Sequence, residues 1–341
     1  MTENLAPRRS IRHRSIEEAI TPELVEGAAS LWSDRSRPPA PLPAVQNFVY
    51  AIQHARGPAI LRLTHESHRS LPEVEAELRW VTELRERGLP VPTVYRSLRG
   101  ALCEIVQSAH GRFVVAAFER LAGEEPDPED PARWNGQTLE QLGALIARLH
   151  QSSYDAAWRP ATMGRRTWRE ESVAQNFHFY VPVEETGVHD AFDRVLQELD
   201  QLPCMRDSYG LIHADLNHAN FFLTPTGLGI FDFDDSCFCW FAYDLLVPIY
   251  HFPAAEPDVM EARAQEALRQ IVRGYESIRR CNRQWLEWLP LLSRWRDLLI
   301  YGFYYEQLEI AVLPDRLRRN FLAMRDRIET GRPIANLGDT R

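Results

Sequence analysis

The sequence has no surplus of positive charge, no long apolar run, few cysteines and no glycine-rich loop. With 39 Lys and Arg against 48 Asp and Glu, the formal net charge is −9 at pH 7. Neutralising a phosphate backbone needs a basic face, so nucleic-acid partners are not expected. The more apolar stretches, such as Tyr243–Tyr250, fall far short of the roughly 20 residues that a membrane-spanning helix needs, so no membrane partner is expected. Arg8, Arg9, Arg12 and Arg14 have no apolar core after them, which is not the pattern of a secretory signal; a cytoplasmic location is the expectation. The five cysteines are scattered. Cys237-Phe238-Cys239 is a C-x-C without a second half, too little for a zinc site, and reduced, buried thiols are expected instead.

At 341 residues the chain is long enough for a two-lobed unit with an ample core, and 45% hydrophobic with 26% charged residues is ordinary for a globular protein. Residues 1–10 are polar and expected to be mobile. Thr21-Pro22-Glu23 reads as an N-cap, a proline at the first helical position and an acidic first turn, predicting a helix from Pro22 to about Trp32. The proline-rich run from Arg37 to Pro43 predicts an extended connector. Phe48–Gln53 and Ala59–Thr64 are β-rich and flank the turn Ala55-Arg56-Gly57-Pro58. Leu71–Arg87 places Val74, Leu78, Val81 and Leu84 on one helical face, with Gly88 just beyond. Thr93–Ser97, Leu102–Gln107 and Phe113–Phe118 follow as strands. Five strands with one helix after the second predict a small α+β lobe.

Beyond Phe118 the pattern becomes helical. Gln137–Gln151 is amphipathic, a less regular segment runs to about Leu202, and helices are expected near Tyr243–Tyr250, Pro257–Arg280, Trp285–Ile310 and Arg316–Thr330. The expected division is an N-terminal extension over 1–40, a small lobe over 41–119 and a mainly helical lobe over 120–341.

The most informative stretch is LIHADLNHANFFLTPTGLGIFDFDD, from Leu211 to Asp235. His213, Asp215 and Asn220 form H-x-D-x-x-x-x-N between short apolar strands, and Asp232 follows inside Ile230-Phe231-Asp232-Phe233. This inventory suits phosphoryl transfer from ATP. One carboxylate orients an attacking hydroxyl and accepts its proton, while an amide oxygen and a second carboxylate hold Mg²⁺ on the phosphates. Two protein ligands suffice, because Mg²⁺ leaves most of its shell to water and phosphate.

With LIHADLNHANFF, GIFDFDD, FAYDLL and QLGALIARLH, residues 40–330 resemble the aminoglycoside phosphotransferase and choline kinase family, which has a protein-kinase-like fold. The resemblance implies an α+β, two-lobed kinase fold, with Asp215 as catalytic base and Asn220 and Asp232 as Mg²⁺ ligands. It implies that His213 braces the loop and that Asp244 hydrogen-bonds the loop backbone from below. Arg62 sits where that fold places a phosphate-binding lysine, and a guanidinium fork can hold phosphate. Glu77 is its expected partner, with Glu73, one turn earlier, as the fallback. The segment Pro43–Phe48, including Asn47, lies where a glycine-rich loop would cover phosphates, yet it holds no glycine. Phe118, Glu119 and Leu121 fall at the junction of the lobes, where the adenine edge would pair with the main chain.

An ATP- and Mg²⁺-dependent small-molecule kinase is therefore expected. The alternatives are a catalytically impaired nucleotide-binding scaffold and a protein Ser/Thr kinase of the same fold. For the acceptor, Asp234 and Asp235 follow Asp232, and Trp295, Tyr301 and Tyr305 lie along one helix, Tyr301 and Tyr305 sharing a face. Carboxylates beside aromatic rings would suit a cationic small molecule that carries a hydroxyl.

Overall fold

The computed structural model describes residues 16–33, 37–156, 163–250 and 257–335; the polar start of the chain lies outside them. The first lobe is an antiparallel sheet of six strands: β1 (Ala40–Leu42), β2 (Phe48–His54), β3 (Gly57–His65), β4 (Val94–Tyr95), β5 (Cys103–Ser108) and β6 (Gly111–Glu119). Their order is β1-β2-β3-β6, with β4 and β5 both paired to β6. The sixth strand is β1, cut from the proline-rich run that reads as a connector. Pro41 is tolerated because β1 is an edge strand, so one of its sides needs no ladder donor.

Two helices cover this sheet. α1 (Pro22–Ala29), capped by the Thr21 hydroxyl, packs Ala28, Ala29 and Trp32 against Ile52, Leu61, Leu63 and Tyr95, and Trp32 Nε1 donates to the Tyr95 carbonyl. The described part of the N-terminal extension thus packs into the lobe's core. α2 (Leu71–Glu86) buries Val74, Leu78, Val81 and Leu84, as its periodicity requires. It also buries Trp80, whose ring meets Phe233 edge-on, 5.2 Å between centroids. One apolar cluster therefore runs from α2 into the second lobe.

The second lobe is mainly helical: α3 (Gly136–Ala156), α4 (Ser172–Tyr180), α5 (Thr186–Leu199), α6 (Phe241–Leu246), α7 (Pro257–Glu276), α8 (Arg283–Gln307) and α9 (Asp315–Thr330). α4 and α5 occupy the segment that the sequence left irregular. α3 and α7 cross closely: a Cβ on Gly274 would fall 1.9 Å from the Glu140 carbonyl oxygen, and one on Gly143 equally close to that of Ile271. Two antiparallel pairs, β7 (Tyr209–Ile212) with β10 (Cys237–Trp240) and β8 (Phe221–Thr224) with β9 (Gly227–Ile230), frame the polar loop between them. Cys237 and Cys239 are buried, unpaired core residues of β10.

Main-chain bonds tie the first lobe, and the segment that leaves it, to the β8–β9 pair of the second. The Ile230 N–H donates to the Pro90 carbonyl (2.9 Å), and Glu124 exchanges two bonds with Leu223. Gly123 makes the second approach possible, since a Cβ there would lie 2.7 Å from the Leu223 carbonyl oxygen. None of the described helices is long and apolar enough to cross a membrane.

Candidate active site

The loop between β7 and β8 is fixed from beneath by one buried carboxylate. Asp244, in α6, accepts the N–H groups of His213 (3.0 Å) and Ala214 (2.7 Å) and the Nε2–H of His150 on α3 (3.0 Å). Burial alone would raise Asp244, but the hydrogen bonds and charge of His150 and His213 hold it below the usual carboxylate range. His213 is fully buried. Its Nε2 donates to the Phe231 carbonyl (3.1 Å) while Nδ1 faces the Asp215 N–H (3.3 Å), a pairing that fixes its tautomer. Ala214 has φ 67°, a left-handed conformation strained for a residue with a Cβ, and it turns Asp215 out of the strand line.

Asp215 is partly exposed. Its Oδ1 accepts from Arg296 (2.6 Å), and its Oδ2 accepts from the side-chain amides of Asn217 (2.9 Å) and Asn220 (3.0 Å). The amide nitrogen of Asn220 also donates to the Asp215 carbonyl (2.7 Å), so its oxygen is directed away from Asp215. The Phe231 N–H donates to the Asn220 carbonyl (3.0 Å), which draws Asp232 alongside.

Asp232 has φ 62°, which an aspartate tolerates, and 48% of its side-chain surface is accessible. Low-polarity surroundings, with the nearby Asp234, Glu77 and Asp235, push it up to about 7 against the pull of Arg62. A carboxylate so crowded by like charge, beside an amide oxygen that accepts from none of the described residues, fits a hard divalent cation. Among the described residues no group of three or more His, Cys, Asp or Glu could hold a metal, so any cation here would take most of its shell from water and phosphate.

Across the cleft, Arg62 and Glu77 form a fork-to-fork pair, Nη1 to Oε1 at 2.8 Å and Nη2 to Oε2 at 2.6 Å, with side chains 6% and 1% exposed. Burial would lower Arg62, but Glu77, Asp234 and Asp232 hold its guanidinium above the ordinary range. Arg62 Nη1 also stands 3.7 Å from Asp232 Oδ1, and its guanidinium lies over the Phe118 ring. Glu73 is engaged elsewhere: it accepts from the N–H and hydroxyl of Ser70 at the start of α2 and pairs with Arg166. The fallback partner is thus excluded by the helix cap. Glu119 is drawn to Thr93, accepting from its N–H (3.0 Å) and hydroxyl (2.7 Å), and its own N–H is taken by the Thr93 carbonyl. Leu121 is half-buried and lies against Gly229 on β9.

The residues expected to wall an acceptor separate into four environments. Trp295 is fully buried among Trp168 and Phe192, and Tyr301 is fully buried and stacked on Phe321. Both belong to the helical core, because α8 presents its aromatic stripe inward. Tyr305 is half-buried, edge-on to Tyr301, with its hydroxyl 3.4 Å from Glu185. Asp234 is buried and accepts from His68 Nε2 (2.6 Å) and Asn47 Nδ2 (3.1 Å), two residues of the first lobe. Burial would raise it, but the charges of His68, Arg69 and Arg62 hold it well below the carboxylate range. It is an interlobe latch. Asp235 remains open, its side chain 37% exposed, bonded to Arg69 at 3.0 Å. Its low-polarity surroundings, with Asp215, Asp234 and Glu171 nearby, push it up to about 6 despite Arg69.

Residues 40–281 match the profile of the phosphotransferase enzyme family. The chain belongs to that family. The protein is accordingly an enzyme, a kinase with a hydroxyl group as acceptor. It is 29% identical over 293 residues to amicoumacin kinase of Bacillus subtilis (strain 168), covering 85% of this chain and 86% of that one. It is 26% identical over 256 residues to homoserine kinase of Sinorhizobium medicae (strain WSM419), covering 73% of each. Among solved structures, the amicoumacin kinase hAmiN, in complex with AMP-PNP, Ca²⁺ and Ami, superposes with a TM-score of 0.84 at 27% identity, over 95% of this chain and 97% of that one. A microcompartment-associated aminopropanol kinase gives a TM-score of 0.69 at 27% identity, over 91% and 94%.

Several side chains in the cleft of this kinase escaped sequence reasoning. Arg69 donates to Glu171 (2.8 Å) and Asp235 (3.0 Å), and Arg165 donates to the carbonyls of Asp234, Ser236 and Glu73. Arg296 reaches Asp215 from α8. Two signals were available. The chain contains no lysine, so all 39 Lys-plus-Arg positions are arginine and an arginine at position 62 is what such a composition supplies. Arg296 and Asp297 lie on the inward stripe of α8 with Leu289, Leu292, Ser293 and Tyr301, where an ionised residue requires a partner; Asp297 finds it in Arg327.

Proposed function

We propose that the enzyme transfers the γ-phosphoryl group of ATP, held with Mg²⁺, to a hydroxyl of a small molecule that also carries an amine. The observation that carries the reading is the convergence of Asp215, Asn220 and Asp232 on one side of the cleft with the Arg62–Glu77 pair on the other. Asp215 orients the acceptor hydroxyl and takes its proton as the oxygen attacks the phosphorus. Asn220 and Asp232 would hold the cation, which neutralises phosphate charge and eases departure of ADP. Arg62, locked by Glu77, faces the phosphates as a planar donor, and Asn47 closes over them from the first lobe. Phe118, Glu119 and Leu121 line the adenine side.

The amine follows from charge. Asp235 and Glu171 share the guanidinium of Arg69, and Asp235 stands near Asp215, whose partner is Arg296, so three carboxylates meet two guanidinium groups on the acceptor side and one negative charge is left over. A protonated amine on the acceptor would supply the missing cation. Amicoumacin, homoserine and aminopropanol, the molecules for which relatives are named, set the range to examine first. ADP release from Mg²⁺·ATP should be measured across amino alcohols, homoserine, amicoumacin, aminoglycosides and neutral sugars. Stimulation by amine-bearing alcohols is expected. Stimulation confined to neutral or anionic sugars would overturn the amine, and release with none of them would overturn the acceptor class.

A further inference from the structure

The strained loop that carries Asp215 is gripped from two sides. Asp244 holds the N–H groups of residues 213 and 214 from below. On the opposite side Arg296 donates through Nη2 to Asp215 Oδ1 at 2.6 Å and through Nη1 to the Ala214 carbonyl at 3.2 Å. Nη1 also stands 3.3 Å from the Tyr243 hydroxyl, which fixes the plane of the fork. The Arg296 side chain is 13% exposed, and it lies on α8, a 25-residue helix packed on α4 to α6 and α9, so its position is set by the core.

The lone pairs of Asp215 are then unequally used. Each carboxylate oxygen offers about two acceptor directions. Oδ2 has both filled, by the amides of Asn217 and Asn220 at 2.9 and 3.0 Å. Oδ1 has one filled, by Arg296. We infer that Arg296 is a positioning residue that fixes the Asp215 carboxylate so that Oδ1, and not Oδ2, receives the acceptor's proton. This rests on the reading of Asp215 as the base. In the transfer step the acceptor O–H bond breaks, its proton passes to Oδ1, the acceptor oxygen bonds to the γ-phosphorus, and the bond from phosphorus to the bridging oxygen of ADP breaks with its electron pair going to ADP. Arg296 forms no bond in this step. By holding the Ala214 carbonyl and Oδ1 together it keeps a left-handed peptide from relaxing and carrying the carboxylate out of line.

The test needs no knowledge of the natural acceptor, because water serves as one. Basal hydrolysis of Mg²⁺·ATP, the KM for ATP, the Kd for Mg²⁺·AMP-PNP and thermal stability are to be measured for Arg296→Gln, Arg296→Lys and Asp215→Asn. Arg296→Gln is expected to lower kcat at least about tenfold, within the range for a mispositioned general base, with KM and Kd within about threefold. Arg296→Lys should recover part of the loss, since one ammonium can reach Oδ1 without holding the Ala214 carbonyl in the same plane. A wild-type kcat in Arg296→Gln, or a loss in Kd in place of kcat, would overturn the inference. Should Arg296→Gln not fold, Arg296→Lys decides: an intermediate kcat supports it and a wild-type kcat refutes it. Asp215→Asn separates the two levels. If it hydrolyses ATP at the wild-type rate, the base assignment itself is wrong; if it is inactive while Arg296→Gln is not, only the role of Arg296 falls.

Discussion

Replacing Glu77 by alanine leaves the Arg62 guanidinium buried at the back of the cleft with its fork-to-fork partner gone. Both side chains are almost wholly covered, 6% and 1% exposed, and both bonds are short, 2.8 and 2.6 Å. Removing one partner of such a pair costs about 3–5 kcal/mol, because an uncompensated charge remains in a low-dielectric site. Unfolding entropy of about 2.1 cal/mol/K per residue, over 341 residues, makes 1 kcal/mol worth about 1.4 °C. Glu77→Ala should therefore lower Tm by roughly 4–7 °C. Its second effect is directional. The nearest remaining carboxylate is Asp232, with Oδ1 3.7 Å from Arg62 Nη1, and a freed guanidinium would turn to it. Asp232 would then be neutralised by Arg62, and Mg²⁺-dependent binding of AMP-PNP should weaken by at least about tenfold. The assays are thermal unfolding without nucleotide and titration of AMP-PNP with and without Mg²⁺. The double variant Arg62→Met, Glu77→Met removes both charges and should regain most of the stability without regaining nucleotide affinity. A Tm within about 1.5 °C of wild type in Glu77→Ala, with nucleotide affinity unchanged, would refute the reasoning.

Asp215→Asn is expected to abolish phosphoryl transfer while Mg²⁺·AMP-PNP affinity stays within a few-fold; comparable loss of both would move Asp215 into nucleotide binding. Asp232→Ala should lose the Mg²⁺ dependence of nucleotide binding, and a dependence that persists would place the cation elsewhere. Gly274→Ala should destabilise by about 1–3 kcal/mol in urea, since its new Cβ would meet main-chain atoms of Glu140 and force α3 and α7 apart; wild-type stability would contradict that packing.

Helix α2 was legible because Val74, Leu78, Val81 and Leu84 repeat at helical spacing on a face that the structure buries completely. The polar loop was legible because His213, Asp215 and Asn220 stand between two apolar strands, a contrast strong enough to survive without tertiary information. Where reasoning failed, the cause was physical. Strand β10 has four residues, Cys237–Trp240, too few to show alternation, and it exists only because β7 pairs with it across the loop. Trp295 and Tyr301 were expected at a ligand because periodicity marks a face but not whether that face meets the core or a cleft. Arg69, Arg165 and Arg296 act over 69 to 166 residues of separation, a distance at which local pattern carries no information.

The two kinds of bond between the lobes respond differently to change. At the rear, Ile230 to Pro90 is a main-chain bond that no substitution short of a proline at position 230 can delete. At the front the lobes meet through side chains, Asn47 and His68 on Asp234, two residues from Asp232, Arg69 on Glu171 and Asp235, and Arg166 on Glu73. The front of the cleft is thus held by side-chain bonds and by the contact of Trp80 with Phe233, and its rear by a main-chain bond. The strength of the side-chain contacts is open to mutation one residue at a time, while the main-chain bond behind them keeps the two lobes in register whatever side chains stand there.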